Sequence, residues 1–172
     1  ASPIALQQVE GIGSKLAAAI AQQRSCLHPE TAIADAAAMI TPADDSYPPL
    51  LYEIPDPPPV LYYQGHLELL RDCQRRPAVG IVGTRSPSEY GQRWTRPLTT
   101  ALSRSGFVII SGLAAGIDRE AHRSCLAADG QTIAVLGTGV DVVYPYGNRD
   151  LHQAIAQTGL LLSEHPPGTG PD

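Results

Sequence analysis

Three short glycine-bearing segments hold the residue types best suited to grip an anion. They are Gly83-Thr84-Arg85, Ser111-Gly112-Leu113-Ala114-Ala115-Gly116-Ile117-Asp118 and Gly137-Thr138-Gly139-Val140-Asp141. Glycine lets a backbone approach a ligand closely. A helix that starts behind such a turn presents free N–H groups and a partial positive charge. Arg85 adds a planar, permanently charged donor whose fork matches two oxygens of a phosphate. The pattern points to phosphate or nucleotide binding, with Gly83, Thr84, Arg85, Ser111, Gly112, Leu113, Gly116, Gly137 and Gly139 as candidate contacts. The plainer alternative is that the glycines only shape tight turns.

Several other chemistries are disfavoured by spacing. Gly80-x-x-Gly83 and Gly137-x-Gly139 fall short of G-x-G-x-x-G, which argues against a nicotinamide or flavin enzyme. No G-x-x-x-x-G-K occurs, and the sole lysine, Lys15, lies far upstream, so P-loop ATP hydrolysis is not expected. Ser111 does not sit in G-x-S-x-G, as a hydrolase nucleophile would. Asp118 and His122 are four apart and share a helix face, so they could act as an acid–base pair. The simpler expectation is that Asp118 complements the helix N-terminus while His122 packs locally. His28, His66, His152 and His165 form no cluster with metal-ligand spacing, and Cys26, Cys73 and Cys125 form no C-x-x-C pair. The cysteines read as free thiols of a reducing cytoplasm, and neither a metal nor a cofactor is expected.

Elements that could position the three segments follow from the apolar pattern. Ala78–Val82, Phe107–Ile110, Thr132–Leu136 and Gly159–Leu162 are short apolar runs without a polar face, as central parallel strands require. Helical stretches over 88–105, 117–128 and 149–157 lie between them. That rhythm predicts an α/β fold, a Rossmann-like parallel sheet with flanking helices. In such sheets ligands bind beyond the C-terminal strand ends, where all three glycine segments fall. Ser86-Pro87-Ser88-Glu89 offers a capping box, Asn148 a cap for the last helix, and Pro97 predicts a kink or break inside the first of these helices.

Upstream, residues 1–45 read as a small helical module with Val9-x-Gly11-Ile12-Gly13 between two helices, the pattern of a helix–hairpin–helix. Gly11, Gly13 and Lys15 are candidate secondary DNA contacts there, with a helical packing module as the equal alternative in these acidic surroundings. Residues 46–66 are proline-dense and read as a linker or edge segment, with a short strand near Val60–Tyr63. Residues 67–172 form the Rossmann-like domain. No run of about 18 apolar residues exists, so no membrane span is expected. Ala1-Ser2-Pro3 is not followed by the basic and long apolar regions of a secretory signal, so such a signal is expected to be absent or already removed, and the expected location is cytoplasmic.

Net charge is −5, but it is unevenly spread. Residues 71–104 hold seven arginines against Asp72 and Glu89, net +5, between two acidic stretches. A local basic segment can still draw phosphate, because the field near a site counts more than the total.

The order of motifs is distinctive. Tyr47-Pro48-Pro49-Leu50 and Pro57-Pro58-Pro59-Val60-Leu61-Tyr62 are followed by Gly65, Val82-Gly83-Thr84-Arg85 and Tyr90-Gly91. Then come Ser111 to Asp118 with Ala121-His122, Gly137 to Asp141 with Tyr144-Pro145 and Asn148, and Ser163-Glu164. Over residues 47–164 the chain resembles the bacterial DNA-processing family DprA, also called Smf. The resemblance implies a homodimeric protein without catalytic activity that binds single-stranded DNA and helps load RecA recombinase in natural transformation. By motif match Gly83-Thr84-Arg85 and Ser111-Gly112 would contact backbone phosphate, and Tyr146, Asn148 and Arg149 join the candidate set. Many members carry lysine where this chain has Tyr146, an aromatic that could stack on a base instead. Members also continue past Ser163-Glu164 into an F-P-x-R-N-R stretch and further βα units, so the domain is expected to be incomplete and dimerisation to need the longer form.

Two other classes fit a Rossmann-like sheet. One is a nucleotide phosphoribohydrolase similar to the LOG family, which needs P-G-G-x-G-T-x-x-E. Pro166-Pro167-Gly168-Thr169-Gly170 echoes that motif only faintly and lacks the glutamate. The other is a nucleotide-sensing domain with no DNA role.

Overall fold

A computed structural model describes residues 3–8, 13–26 and 38–171. The chain divides into two compact units, Ala1–Ala36 and Ala37–Asp172. The first contains α1 (Pro3–Leu6) and α2 (Ser14–Cys26), the latter alanine-rich and therefore a strong helix former. Gly13 immediately precedes α2, and Lys15 is exposed in its first turn. Gly11, at the centre of the expected helical hairpin, lies outside the described residues.

The second unit is built on a six-stranded sheet. Its elements in order are β1 (Met39–Ile40), a 3-10 helix (Pro49–Glu53), β2 (Leu61–Gly65), α3 (Glu68–Arg75), β3 (Ala78–Gly80) and α4 (Glu89–Arg104). They continue with β4 (Val108–Ser111), α5 (Ile117–Ala127), β5 (Thr132–Leu136), a 3-10 turn (Tyr146–Asn148), α6 (Arg149–Thr158) and β6 (Leu160–Ser163). Strand order is β1-β2-β6-β5-β4-β3. The four strands β3 to β6 are mutually parallel, with Ile110 opposite Ile133 and Ala134 opposite Leu161. This is the Rossmann-like α/β architecture that the strand–helix rhythm predicts.

Four local expectations are corrected. The sheet is mixed rather than wholly parallel. β2 runs antiparallel to β6, pairing Tyr63 with Leu162, and is itself flanked by β1. The proline-dense stretch is thus packed onto the sheet: Tyr47 and Leu61 are buried, and the Tyr47 hydroxyl donates to the Pro58 carbonyl at 2.8 Å. Closely spaced prolines oppose a regular α-helix but not a packed extended path. Of the kink or break expected at Pro97, the break does not occur, because α4 is one helix on both sides of it. The ring deprives the Arg93 carbonyl of its helical donor, but both residues are exposed, so water can replace it. The cap of α4 is Ser88, accepting from Gly91 N at 3.2 Å, two residues beyond the expected Ser86 box.

Alternation along the strands separates two cores. On one face Ile109, Ala134, Leu136 and Leu161 pack under α5 and α6 with Leu113, Ala121 and Ile155. On the other, Val108, Ile133, Leu160 and Leu162 meet Leu69 and Leu70 of α3 and Tyr47. An apolar groove of about 470 Å³ remains open on this second face, over Ile110, Ile133 and Val135. β3, expected over Ala78–Val82 as a central buried strand, is instead a shorter edge strand with only Val79 partly buried, because no strand pairs with its outer side among the described residues.

Candidate functional site

The loops that follow β3, β4 and β5 meet at one edge of the sheet and are tied together by buried polar side chains. Asp118, in the first turn of α5 and 6% exposed, is the principal tie. Its Oδ1 accepts from Gly83 N at 3.2 Å and its Oδ2 from Gly112 N at 3.1 Å. The amide of Ile117 donates to the Thr84 carbonyl at 3.2 Å, and the Ser111 hydroxyl donates to the Ile81 carbonyl at 2.6 Å. The first two loops are therefore one interlocked unit. Gly116 makes that possible. Its φ is +86, and a Cβ there would stand 2.2 Å from the Thr84 carbonyl oxygen.

A second tie comes from Asn148, 2% exposed. Its Nδ2 donates to the carbonyls of Leu113 at 2.7 Å and Ala114 at 3.2 Å. It begins α6 in sequence, but its side chain makes no capping bond there. Leu113 has φ 55, a left-handed conformation that costs a non-glycine residue about 1–2 kcal/mol. Burial of its side chain among Leu136, Val140 and Ile155 and the bond to its carbonyl hold it there.

The third loop is fastened from behind. Ser163 Oγ donates to the Thr138 carbonyl at 2.7 Å and accepts from His165 N at 3.0 Å. Gly139 N donates to the Thr169 carbonyl at 2.9 Å, and the Asp141 carboxylate accepts from Gly168 N at 2.8 Å. The Pro166-to-Gly170 stretch is thus a strap over this loop.

Between the loops lies an open cleft of about 310 Å³, bounded by Arg85, Ala114, Ala115, Gly137, Tyr144 and Pro171 among others. Arg85 is exposed and has no carboxylate partner among the described residues. The amides of Ala114 and Ala115 donate to no protein acceptor there. Gly137 has nothing within 4 Å of a hypothetical Cβ, so a ligand can approach its backbone. A guanidinium, free amides and an unobstructed glycine around one cleft suit an anionic ligand.

The candidate residues divide accordingly. Arg85, Gly112 and Gly137 line the cleft, together with Tyr144, which spacing did not single out. The Gly83 and Gly112 amides face Asp118 instead of solvent, Leu113 is core, Gly116 seats the loops, and Asn148 and Gly139 hold them. Thr84 holds its own turn, its Oγ1 accepting from Ser86 N at 3.2 Å. Tyr146 and Arg149 pair with each other: Arg149 Nη1 donates to the Tyr146 hydroxyl at 3.0 Å, and the guanidinium stands 5.9 Å from the ring centroid. Neither borders the cleft.

No acid–base dyad forms from Asp118 and His122. His122 is fully buried, and its Nδ1 bonds Thr132 Oγ1 at 2.7 Å. Because that hydroxyl donates to the Ile109 carbonyl at 2.8 Å, His122 Nδ1 carries the hydrogen. Burial lowers the pKa of His122 to about 4, so the ring is neutral. Burial also raises the thiols of Cys73 and Cys125 above the ordinary value, which suppresses thiolate chemistry.

Comparison with known proteins places this geometry. A family model described as DNA recombination-mediator protein A matches residues 38–172. Protein Smf of Synechocystis is 52% identical over 176 residues, which cover 100% of this chain and 44% of that protein. The DNA processing protein DprA of Bacillus subtilis is 44% identical over 125 residues, 73% of this chain and 41% of that one. The chain thus spans less than half the length of these relatives. Among solved structures, the X-ray structure of DNA processing protein A from Streptococcus pneumoniae matches with a TM-score of 0.83 and 34% identity, covering 95% of this chain and 56% of that one. DNA processing protein A from Helicobacter pylori, described by its single-stranded DNA binding mode, matches with a TM-score of 0.67 and 34% identity, covering 79% and 60%.

Proposed function

The chain belongs to the DNA recombination-mediator protein A family, and from that premise we propose that its loop edge binds the sugar-phosphate backbone of single-stranded DNA. The observation that carries this reading is the unpaired, exposed Arg85 beside free loop amides in one cleft. Arg85 takes a phosphate through its fork, and the amides of Ala114 and Ala115 take a neighbouring oxygen. Asp118 and Asn148 act as positioning residues that keep the loops in register before a strand arrives.

The role is binding without catalysis. Ser111, Asp118 and His122 are each engaged in structural hydrogen bonds, which supports this reading because they are then not held ready as a nucleophile and base. No helix among those residues is long and apolar enough to cross a membrane. In the longer protein, a cytoplasmic homodimer would hold the strand and pass it to RecA. These parts of the proposal rest on family membership alone.

Fluorescence anisotropy of labelled oligo-dT at low salt tests the reading, with duplex and a nucleoside monophosphate as competitors. Wild type is expected to prefer single strand, and Arg85→Ala to weaken binding about tenfold, roughly 1.4 kcal/mol, with a salt slope reduced by about 1. Unchanged affinity in Arg85→Ala would refute the site. Competition by the mononucleotide as effective as by DNA would favour a nucleotide sensor.

A further inference from the structure

The outer face of α4 carries an apolar ridge that the loop edge does not use. Tyr90, Trp94 and Leu98 recur every four residues and are 72%, 58% and 55% exposed. Residues at that spacing stack along one side of a helix. The Tyr90 and Trp94 rings stand 6.1 Å apart at a tilt of 60°, mostly in solvent. A helix that merely covers a sheet carries polar groups on its outer face, whereas a contiguous exposed apolar ridge marks an interaction surface. Arg93 is exposed between Tyr90 and Trp94 in the sequence of the helix, and Arg104 is exposed in its last turn. Neither has a carboxylate partner among the described residues, since the one ion pair of α4 joins Arg96 to Glu120 of α5. The ridge also begins five residues after Arg85 in sequence, because α4 follows the Arg85 loop through the Ser88 cap.

We propose that this ridge is a stacking track for the bases of single-stranded DNA, extending the path of the strand held at the loop edge. The inference rests on the DNA-binding reading of that edge. Unpaired bases stack on aromatic faces whatever their sequence, and neighbouring guanidinium groups take the phosphates between them. An uncompensated arginine beside two aromatic rings, with a second further along the same helix, matches a polyanion with free bases. An apolar protein surface would instead strip water from both guanidiniums and leave them unpaired. Duplex DNA does not qualify, because its bases are already stacked on one another.

Trp94 is the only tryptophan in the chain, so its emission reports on the ridge directly. The experiment titrates wild type, Arg85→Ala and the double variant Tyr90→Ala/Trp94→Ala with thymidine strands of about six and about twenty nucleotides. Tryptophan emission is followed in the first two proteins and strand anisotropy in all three. The long strand is expected to quench Trp94 in wild type while the short one, held at the loops, leaves it nearly unchanged. The double variant is expected to lose roughly tenfold in affinity for the long strand and to keep its affinity for the short one. Unquenched Trp94 with full affinity of the double variant for both strands would overturn the track and leave the Arg85 site standing. Failure of wild type to bind either strand would remove the loop-edge reading and the track together. A blue shift of Trp94 with protein concentration alone, accompanied by a dimer mass in sedimentation, would overturn the track in favour of a contact between copies.

Discussion

The loop edge and the outer face of α4 are both exposed and both carry arginine, yet their side chains are committed differently. At the edge, Asp118 joins Gly83 to Gly112, Asn148 holds Leu113 and Ala114, and Asp141 holds the Gly168 strap. On α4, Tyr90, Trp94 and Leu98 stand in solvent and Arg93 has no ionic partner among the described residues. The edge is organised before any ligand arrives, which lowers the ordering cost of binding. The helix face has only the rigidity of the helix beneath it. Stability and binding should therefore separate: changes beneath the edge disturb folding first, and changes on the ridge disturb only what binds there.

Acid is the strongest way to break that contrast. His122 lies one helical turn beyond Asp118 and is held neutral by burial. The unfolded chain protonates it near 6.5 and the folded chain only near 4. Its contribution is complete above pH 6.5 and is lost as pH falls through that window, amounting to about 3 kcal/mol at most. His152, also lowered by burial, adds a loss of the same sign. Exposed His66 works in the opposite direction, because Glu68 raises its pKa. Urea unfolding at pH 7 and pH 4.5 should show the decline, and His122→Gln should flatten most of it. An equally steep decline in His122→Gln would assign the acid limb elsewhere.

Asp118→Ala comes next. It strips the Gly83 and Gly112 amides of their acceptor in a partly buried setting and should cost about 2 kcal/mol, read as a lower urea midpoint with unchanged slope. Oligo-dT affinity should fall with it even though Asp118 is buried beneath the loops. Asp118→Asn, keeping one acceptor oxygen, should fall between. Asn148→Ala frees two loop carbonyls and should cost about 1 kcal/mol, since carbonyls tolerate a lost donor better than amides tolerate a lost acceptor. Smallest is Trp94→Ala, expected to change stability by less than about 0.5 kcal/mol as an exposed substitution. A loss near 2 kcal/mol there would mean that the ridge is part of the fold.

The sequence by itself determined the alternation of strand and helix from β3 to β6, because a parallel strand reads as a short apolar run and its covering helix does not, although β3 lies exposed at the sheet edge. It also determined that three glycine segments would fall at the same ends of those strands. Tertiary structure alone decided where their polar groups point. Asp118 reaches a glycine 35 positions upstream, and Asn148 reaches a carbonyl 35 positions upstream. Spacing along a helix describes neighbours one turn away and carries no distance to a residue on another loop. For the same reason β2, legible as a short strand within a linker or edge segment, gave no sign of its pairing with β1 and with a strand nearly one hundred positions downstream. Leu113, placed among the phosphate contacts by its glycine neighbours, is core because its left-handed backbone turns the side chain inward among residues of β5 and α6. Local chemistry selects the elements and their turns, whereas the partners of buried hydrogen-bonding groups are set by which turns the sheet brings side by side.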